Sequence, residues 1–330
     1  MKKFLEFLKH NILIVILAIL LILTQVKVPY QVNMPGGLID LTNRVTVDGN
    51  LKKSEGTFNM AYVSVVERSL PWIVMGAILP DWDVEPISDS KLDNETLEDA
   101  ENRGKLYLEQ SKNYASLVAL DHANIDYTIY NKKNYVLYIT DDAKTDLKVG
   151  DIILKINGEE ISDMNYLRDY INKTEVGKTI TFDVLRDGKN KKAKAKVFRE
   201  KDKNYVGIMA ITMFDLESDA NIKIDSKKQE SGPSGGLMMT LSTYNALVKG
   251  DLTKGYKIAG TGTINLDGSV GEIGGVKYKI MGAVKNKADV FFVPSGNYKE
   301  AKKVCKDKKY DIKLVKVSKF QDAIDYLEGL

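Results

Sequence analysis

Glu230-Ser231-Gly232-Pro233-Ser234-Gly235-Gly236 runs straight into the apolar stretch LMMTLSTYNAL, and Gly271-Glu272-Ile273-Gly274-Gly275 runs into VKYKIMGAVKNK. Each is a glycine-rich turn that opens a helix and delivers one polar side chain there. Glycine permits close backbone approach and unusual dihedrals. Ser234 falls at a helix N-terminus, where N–H groups lack intrahelical partners and suit an oxyanion. An ordinary N-cap serine gives the same local pattern. In the second helix, at roughly 100° per residue, Val276, Ile280, Ala283 and Val284 form the inward stripe. Lys277 falls on the flank of that stripe between Ile280 and Val284, and Lys279 points further outward. A lysine held against apolar surface loses hydration of its ammonium, and the neutral amine that results accepts a proton from a hydroxyl. A snorkelling lysine is the plainer reading of that helix taken alone.

Working outward, the chain after Tyr205 alternates strands and helices. The expected strands are Val206 to Phe214, Lys257 to Asn265, Val290 to Val293 and Ile312 to Val317. The expected helices are Gly236 to Val248, Val276 to Lys287, Tyr298 to Cys305 and Phe320 to Leu327. This is the pattern of an α+β or α/β domain. Upstream, Phe58 to Val66 (FNMAYVSVV) has the β-branched and aromatic content of a strand. Met34-Pro35-Gly36-Gly37 reads as a turn, Pro71, Pro80 and Pro86 as breaks, and Asn94 to His122 as a long helix. Between Asp126 and Phe198 the pattern changes to short strands, one helix at Met164 to Asn172, and tight turns at Asn157-Gly158 and Asp187-Gly188.

Composition removes several chemistries. Lys and Arg total 48 against 45 Asp and Glu, a net charge of +3, so no nucleic-acid footprint is expected. The single cysteine, Cys305, leaves no disulfide framework and no cysteine-based metal site. The two histidines are His10 and His122, with none near either glycine-rich turn. A Ser-His-Asp triad is therefore disfavoured, whereas a Ser-Lys dyad needs no histidine. No H-E-x-x-H helix and no G-x-x-x-x-G-K-[ST] loop occurs, so neither a metal, nor a cofactor, nor ATP is expected.

Ile12 to Leu23 is an unbroken apolar run, extendable to Val28 and preceded by Lys2, Lys3 and Lys9. Seventeen helical residues would span about 25 Å, slightly short of a hydrocarbon core, with Lys27 able to snorkel. Thr24-Gln25-Val26 offers no small-residue cleavage site, so an uncleaved single-pass anchor is expected. The lysine bias places the N-terminus in the cytoplasm and the remainder outside the cell.

The stretch LKVGDIILKINGEEISDMNYLRDYI (147–171) resembles the core of a bacterial PDZ domain. That resemblance implies peptide binding by strand addition, with Tyr135, Val136, Leu137, Leu167 and Ile171 lining the groove. GPSGG at 232–236, the lysine of GGVK forty-three residues after its serine, and GTGTINLDGSVGEIGG between them are similar to the proteolytic domain of Lon proteases. The resemblance implies a catalytic dyad of Ser234 and Lys277, with Thr261 supporting the lysine and the N–H groups of Ser234 and Gly235 holding the oxyanion. Ser231 and Gly235 depart from the family, which often has an acidic residue and an alanine there.

The reading is an α+β chain with an N-terminal transmembrane helix (1–28) and a Lon-type proteolytic domain in two parts (29–125 and 204–330). A β-rich PDZ domain (126–203) is inserted between those parts. The resemblance is to membrane-anchored PDZ-Lon proteins of Gram-positive bacteria. It implies an ATP-independent serine endopeptidase acting on peptides or exposed protein segments, and it admits a homo-oligomer. The other reading is a surface PDZ scaffold whose Lon-like domain is inactive.

Overall fold

The computed structural model describes residues 7, 10–93, 95–161 and 163–330. Lys2, Lys3, Lys9 and Asn94, on which expectations above rest, lie outside them. Helix α1 is Ile12–Gln25, followed by strands β1 (Tyr30–Asp40) and β2 (Thr57–Glu67), helix α2 (Leu70–Ile78), strand β3 (Asp83–Pro86) and the long helix α3 (Leu97–His122). Next come β4 (Tyr127–Ile139), β5 (Ile152–Ile156), α4 (Met164–Lys173), β6 (Thr179–Arg186), β7 (Lys189–Lys196) and β8 (Ile208–Ser218). The last part holds α5 (Gly236–Leu247), β9 (Lys257–Gly260), α6 (Val276–Lys285), β10 (Val290–Pro294), α7 (Tyr298–Lys308), β11 (Lys313–Val317) and α8 (Phe320–Glu328).

Two six-stranded sheets organise these elements. The first runs β11-β10-β9-β2-β1-β3, so strands from 30–86 pair with strands from 257–317 across everything between them. Its β2-β9-β10-β11 part is parallel and its β2-β1-β3 part antiparallel. Parallel strands covered on both faces read as continuous apolar runs, and β10, VFFVP, is buried at every position. Its Phe292 joins a core with Leu237, Leu241, Leu117 and Phe320 from α5, α3 and α8. Its Phe291 and Val293 face Ile280, Ala283 and Ala301 from α6 and α7. The result is a sheet between two helical layers.

The second sheet runs β7-β6-β5-β4-β8, with the short strand Glu159–Glu160 pairing on β5 as its sixth member, and encloses a separate core built on Val136, Ile153, Ile156, Leu167, Phe182 and Val184. Its two hairpin turns fall where the sequence marked them: Asn157 and Gly158, and Asp187 and Gly188, all have positive φ. Such turns match the twist of the flanking strands. β8 belongs to this sheet, pairing with β4 from Ile208↔Ile139 to Ser218↔Tyr127. The sheet therefore extends beyond the boundary expected at residue 203.

Four expectations change. Met34-Pro35-Gly36-Gly37 is not a turn but a bulged part of β1, with the register shift between Pro35 and Leu38. A side chain at Gly36 would meet the Tyr62 carbonyl oxygen at 2.1 Å, so only glycine fits there. Pro71 does not break the chain: it occupies the first turn of α2, where its missing N–H costs nothing. The strand expected from Lys257 to Asn265 is interrupted after Gly260. The N-terminal helix spans 14 residues rather than seventeen, and no helix among the described residues is long and apolar enough to cross a membrane.

Candidate active site

The Ser234 turn is fixed from three sides. Gly232 N–H donates to the Gly104 carbonyl of α3 at 2.8 Å, and the Ser111 hydroxyl of α3 donates to the Pro233 carbonyl at 3.3 Å. Arg44 grips both carboxylate oxygens of Glu230 at 2.7 and 2.9 Å. From the sheet side, Gly262 N–H donates to the Ser234 carbonyl at 2.8 Å and Leu237 N–H to the Gly262 carbonyl at 3.0 Å. Gly236 takes no side chain because a Cβ would lie 2.8 Å from the Ile264 backbone nitrogen. A Cβ at Gly235, where alanine is the family's common residue, would come 2.6 Å from the Met60 sulfur. Among the described residues, the Ser234 and Gly235 N–H groups donate to no other group, consistent with donors left open at the head of α5.

The lysine beside this turn is not the expected one. Lys277 points to β3 and donates to Asp83 Oδ2 at 2.8 Å, with its side chain about one-third exposed. That bond first, and the Tyr278 hydroxyl second, hold the Asp83 carboxyl below its usual range. Burial, and then Asp83, push the Tyr278 hydroxyl far up. Lys279, expected to point outward, is 3% exposed, and its Nζ donates to Thr261 Oγ1 at 3.0 Å. The Thr261 hydroxyl, itself fully buried, donates in turn to the Ser234 carbonyl at 3.0 Å. Burial lowers the Lys279 amine to about 8.

The expectation for Lys277 fails for a packing reason. Val276, Lys279, Ile280 and Ala283 fall at the i, i+3, i+4, i+7 spacing of one helix face, and all four are buried. Beside them, Gly282 lies so close to β1 that a Cβ would meet the backbone of Gly36 and Gly37 at 3.2 Å. The helix therefore buries the side bearing Lys279 and Gly282, and Val284 is only partly covered. The signal was present in the sequence as Gly282, whose lack of a side chain lets that side approach a strand. Thr261 is where the resemblance placed it, against a lysine, but that lysine is Lys279.

Ser234 and Gly235 open onto a cavity of about 990 Å³ lined by Met34, Met60, Tyr62, Val65, Trp72 and Leu108, among others. β9 pairs with β2 only from Thr57 to Met60. β2 then continues to Glu67 bonded to β1 on its other side, so its later residues present a free edge to this cavity.

The expected peptide groove is also corrected. Val136, Leu137, Leu167 and Ile171 are buried, three of them in the second sheet's own core, and Tyr135 is half-buried. Tyr135 is flanked by β8 on one side and β5 on the other, and Val136 pairs with β8 and bonds to Gly150 and Asp151, leaving neither an edge for a peptide. The terminal strands of that sheet are β7 and β8.

A sheet unit with a buried lysine tied to a serine turn, joined to a second β-rich unit, is thus a two-part architecture. Residues 195–328 match the Lon protease (S16) C-terminal proteolytic domain, and residues 120–197 match the PDZ domain. The chain therefore combines a Lon-type proteolytic domain with a PDZ domain, and β1 to β3, upstream of both matches, complete the sheet of the former. It is similar to the Lon protease of Mesomycoplasma hyopneumoniae, 34% identical over 98 residues, 30% of this chain and 11% of that protein. Lon protease 2 of Borreliella burgdorferi is 29% identical over 117 residues, 34% of this chain and 14% of that protein. The chain thus spans little more than a tenth of the length of these relatives. A crystal structure of the PDZ domain of an SdrC-like protein from Listeria monocytogenes aligns with 26% of this chain and 93% of its own, at 26% identity and a TM-score of 0.24.

Proposed function

We propose that this chain is a serine endopeptidase in which Ser234 is the nucleophile and Lys279 the general base. The observation that carries the reading is the nearly inaccessible Lys279 amine, lowered to about 8 by burial and tied through Thr261 to the carbonyl of Ser234. The neutral Nζ takes the Ser234 hydroxyl proton as Oγ attacks the peptide carbon. The N–H groups of Ser234 and Gly235 receive the oxyanion, and Nζ returns the proton to the leaving amine. Water then attacks the ester, giving a proton to Nζ, which passes it to the Ser234 Oγ as the bond from Oγ to the acyl carbon breaks. Thr261 orients the amine without exchanging protons with substrate. A substrate laid as an extended strand along the free edge of β2 brings its backbone past Ser234. We read the reaction as ATP-independent, with peptides or segments already unfolded as its substrates.

The alternative, a peptide-binding scaffold with an inactive Lon-like domain, gives no reason to retain a buried ammonium that costs stability. Peptide capture by the PDZ domain is assigned to a terminal strand of its sheet, with β8 the better placed because Val206 and Ile208 pack on the core formed with Leu167 and Ile171. Although its 14 helical residues fall short of a full span, we read α1 as the membrane anchor, since Leu13, Ile14, Leu21 and Ile22 are each more than three-fifths exposed and polar residues are absent from its middle. The lysines before it favour a cytoplasmic N-terminus and an extracellular cleft.

The test is mutational. Ser234→Ala and Lys279→Ala are expected to abolish peptide cleavage with the fold retained, while Lys277→Ala keeps it. Cleavage lost with Lys277→Ala and preserved with Lys279→Ala would overturn the assignment.

A further inference from the structure

Helix α2, LPWIVMGAI, contains no charged residue and is apolar around its whole circumference. It is seated on the sheet through Gly76, where a Cβ would meet Val84 at 2.9 Å and Val32 at 3.0 Å. Away from that seat it is bare: Ile78 is 75% exposed, Val74 52% and Met75 43%, continued by Leu79 at 38%. A contiguous apolar surface of this kind marks a contact with a partner or a lipid phase. Three observations name the lipid. α2 packs beside α1, whose Leu13, Ile14, Leu17, Leu21 and Ile22 are themselves exposed. The two tryptophans of the chain, Trp72 and Trp82, stack here with ring centroids 5.5 Å apart, and tryptophan is the residue that favours the boundary between hydrocarbon and water. At the C-terminal end of α1, a cavity of about 940 Å³ is lined by Lys27, Arg68, Lys91 and Lys228, which form no side-chain ion pair among the described residues. Glu67 and Glu98 also face it, Glu101 is paired with Lys105, and Arg103 is paired with Glu95. The excess of positive charge suits anionic lipid headgroups.

We propose that α2 is a second membrane contact, lying in the lipid interface beside α1, and that the Ser234 cleft therefore opens at the bilayer surface onto polypeptide segments held there. This rests on reading α1 as the anchor. Trp72 connects the two parts of the proposal: it projects from α2 and also lines the cavity that holds Ser234. Such a contact sets the bare apolar helix in the lipid and the basic side chains of the neighbouring cavity at the headgroups. Its consequence is a substrate class, namely chains tethered to or emerging from the same membrane, because those arrive already concentrated at the mouth of the cleft.

The full chain reconstituted in vesicles of phosphatidylcholine and phosphatidylglycerol with brominated acyl chains tests this through its two tryptophans. Emission is expected to be quenched and blue-shifted, and Trp72→Phe is expected to leave a weaker, still quenchable Trp82 signal. Val74→Glu and Ile78→Glu together should keep the chain on floated vesicles and leave hydrolysis of a soluble peptide unchanged. They should abolish the quenching and slow cleavage of a peptide lipid-anchored to the same vesicles. A chain that floats with unquenched tryptophans overturns the α2 contact while leaving the anchor intact. So does a detergent-solubilised dimer whose dissociation alone exposes the tryptophans, since a second copy then covers α2. A chain that fails to float overturns the anchor and this contact together. The quenching is read without turnover, so an inactive but quenched chain refutes the peptidase reading and not this one.

Discussion

Holding an ammonium in the setting of Lys279 costs free energy, and the sign of that cost is measurable. Its folded value of about 8 lies below the 10.5 of a free lysine, a difference of about 3 kcal/mol at the level of order of magnitude. Below pH 8 the group is protonated in both folded and unfolded chains, so the full penalty acts on the fold. Between pH 8 and 10.5 the unfolded chain binds more protons, and stability from this residue rises with pH. Lys279→Met, of similar length and apolar, is expected to raise unfolding stability at pH 7 by up to about 3 kcal/mol while abolishing cleavage. Urea titrations at pH 7 and pH 10 check this: the gain should shrink at the higher pH, and an equal gain at both would deny the buried charge. In the unmodified chain, the cleavage rate should climb as pH passes through about 8. Water reaches Lys277, and removing its partly exposed pair with Asp83 should change stability by less than about 1 kcal/mol.

Among elements, the contact between α6 and β1 decides which lysine is buried beside the Ser234 turn. Gly282→Val would place a branched side chain where a single Cβ already meets the Gly36 and Gly37 backbone at 3.2 Å. Overpacking of this kind costs about 1–3 kcal/mol. The helix has to move away from the strand, carrying Lys279 off Thr261, so kcat is expected to fall more than KM changes. Unchanged turnover in a folded variant would show that the spacing does not hold the amine. The same contact explains what the sequence disclosed and what it withheld. Helix and strand periodicity placed α5, α6, α7 and α8 within a few residues, and the Asn-Gly and Asp-Gly pairs placed both hairpins, because those signals are local. The orientation of α6 is not local. Lys277 and Lys279 lie on opposite flanks of the stripe through Val276 and Ile280. The choice between them was made by a glycine in the helix meeting two glycines in a strand that the sequence reading had taken for a turn. Helix α2 escaped notice for a related reason: Pro71 and Pro80 bracket it, and proline at a first turn starts a helix as readily as proline elsewhere ends one. Of the expected groove residues, Val136, Leu167 and Ile171 lie in the core of the second sheet, and Leu137 is buried outside it.

At the scale of the molecule, the two units divide the core cleanly. Every buried residue of the second sheet's cluster lies between Val136 and Val206, and neither cluster of the Lon-type unit uses a residue from that interval. What joins them is the ribbon of β4 and β8, whose outer end is held by α3: Asn113 donates to the Phe214 carbonyl at 2.7 Å and accepts from its N–H at 3.2 Å. Lys133 and Met213 are direct partners in that ribbon. Replacing residues 134–212 by Asn-Gly would therefore close the ribbon as a two-residue hairpin without cutting either core of the remaining unit. The shortened chain is expected to fold, to show one unfolding transition in calorimetry where the full chain is expected to show two, and to cleave short peptides at an unchanged rate. Cleavage of longer chains whose termini the PDZ domain selects should fall, because selection and chemistry then reside in different units. If excision instead melts the Ser234 site, seen as lost hydrolysis of even the shortest peptide and a single collapsed transition, then the ribbon and the module it carries are part of the catalytic scaffold and not an attachment to it.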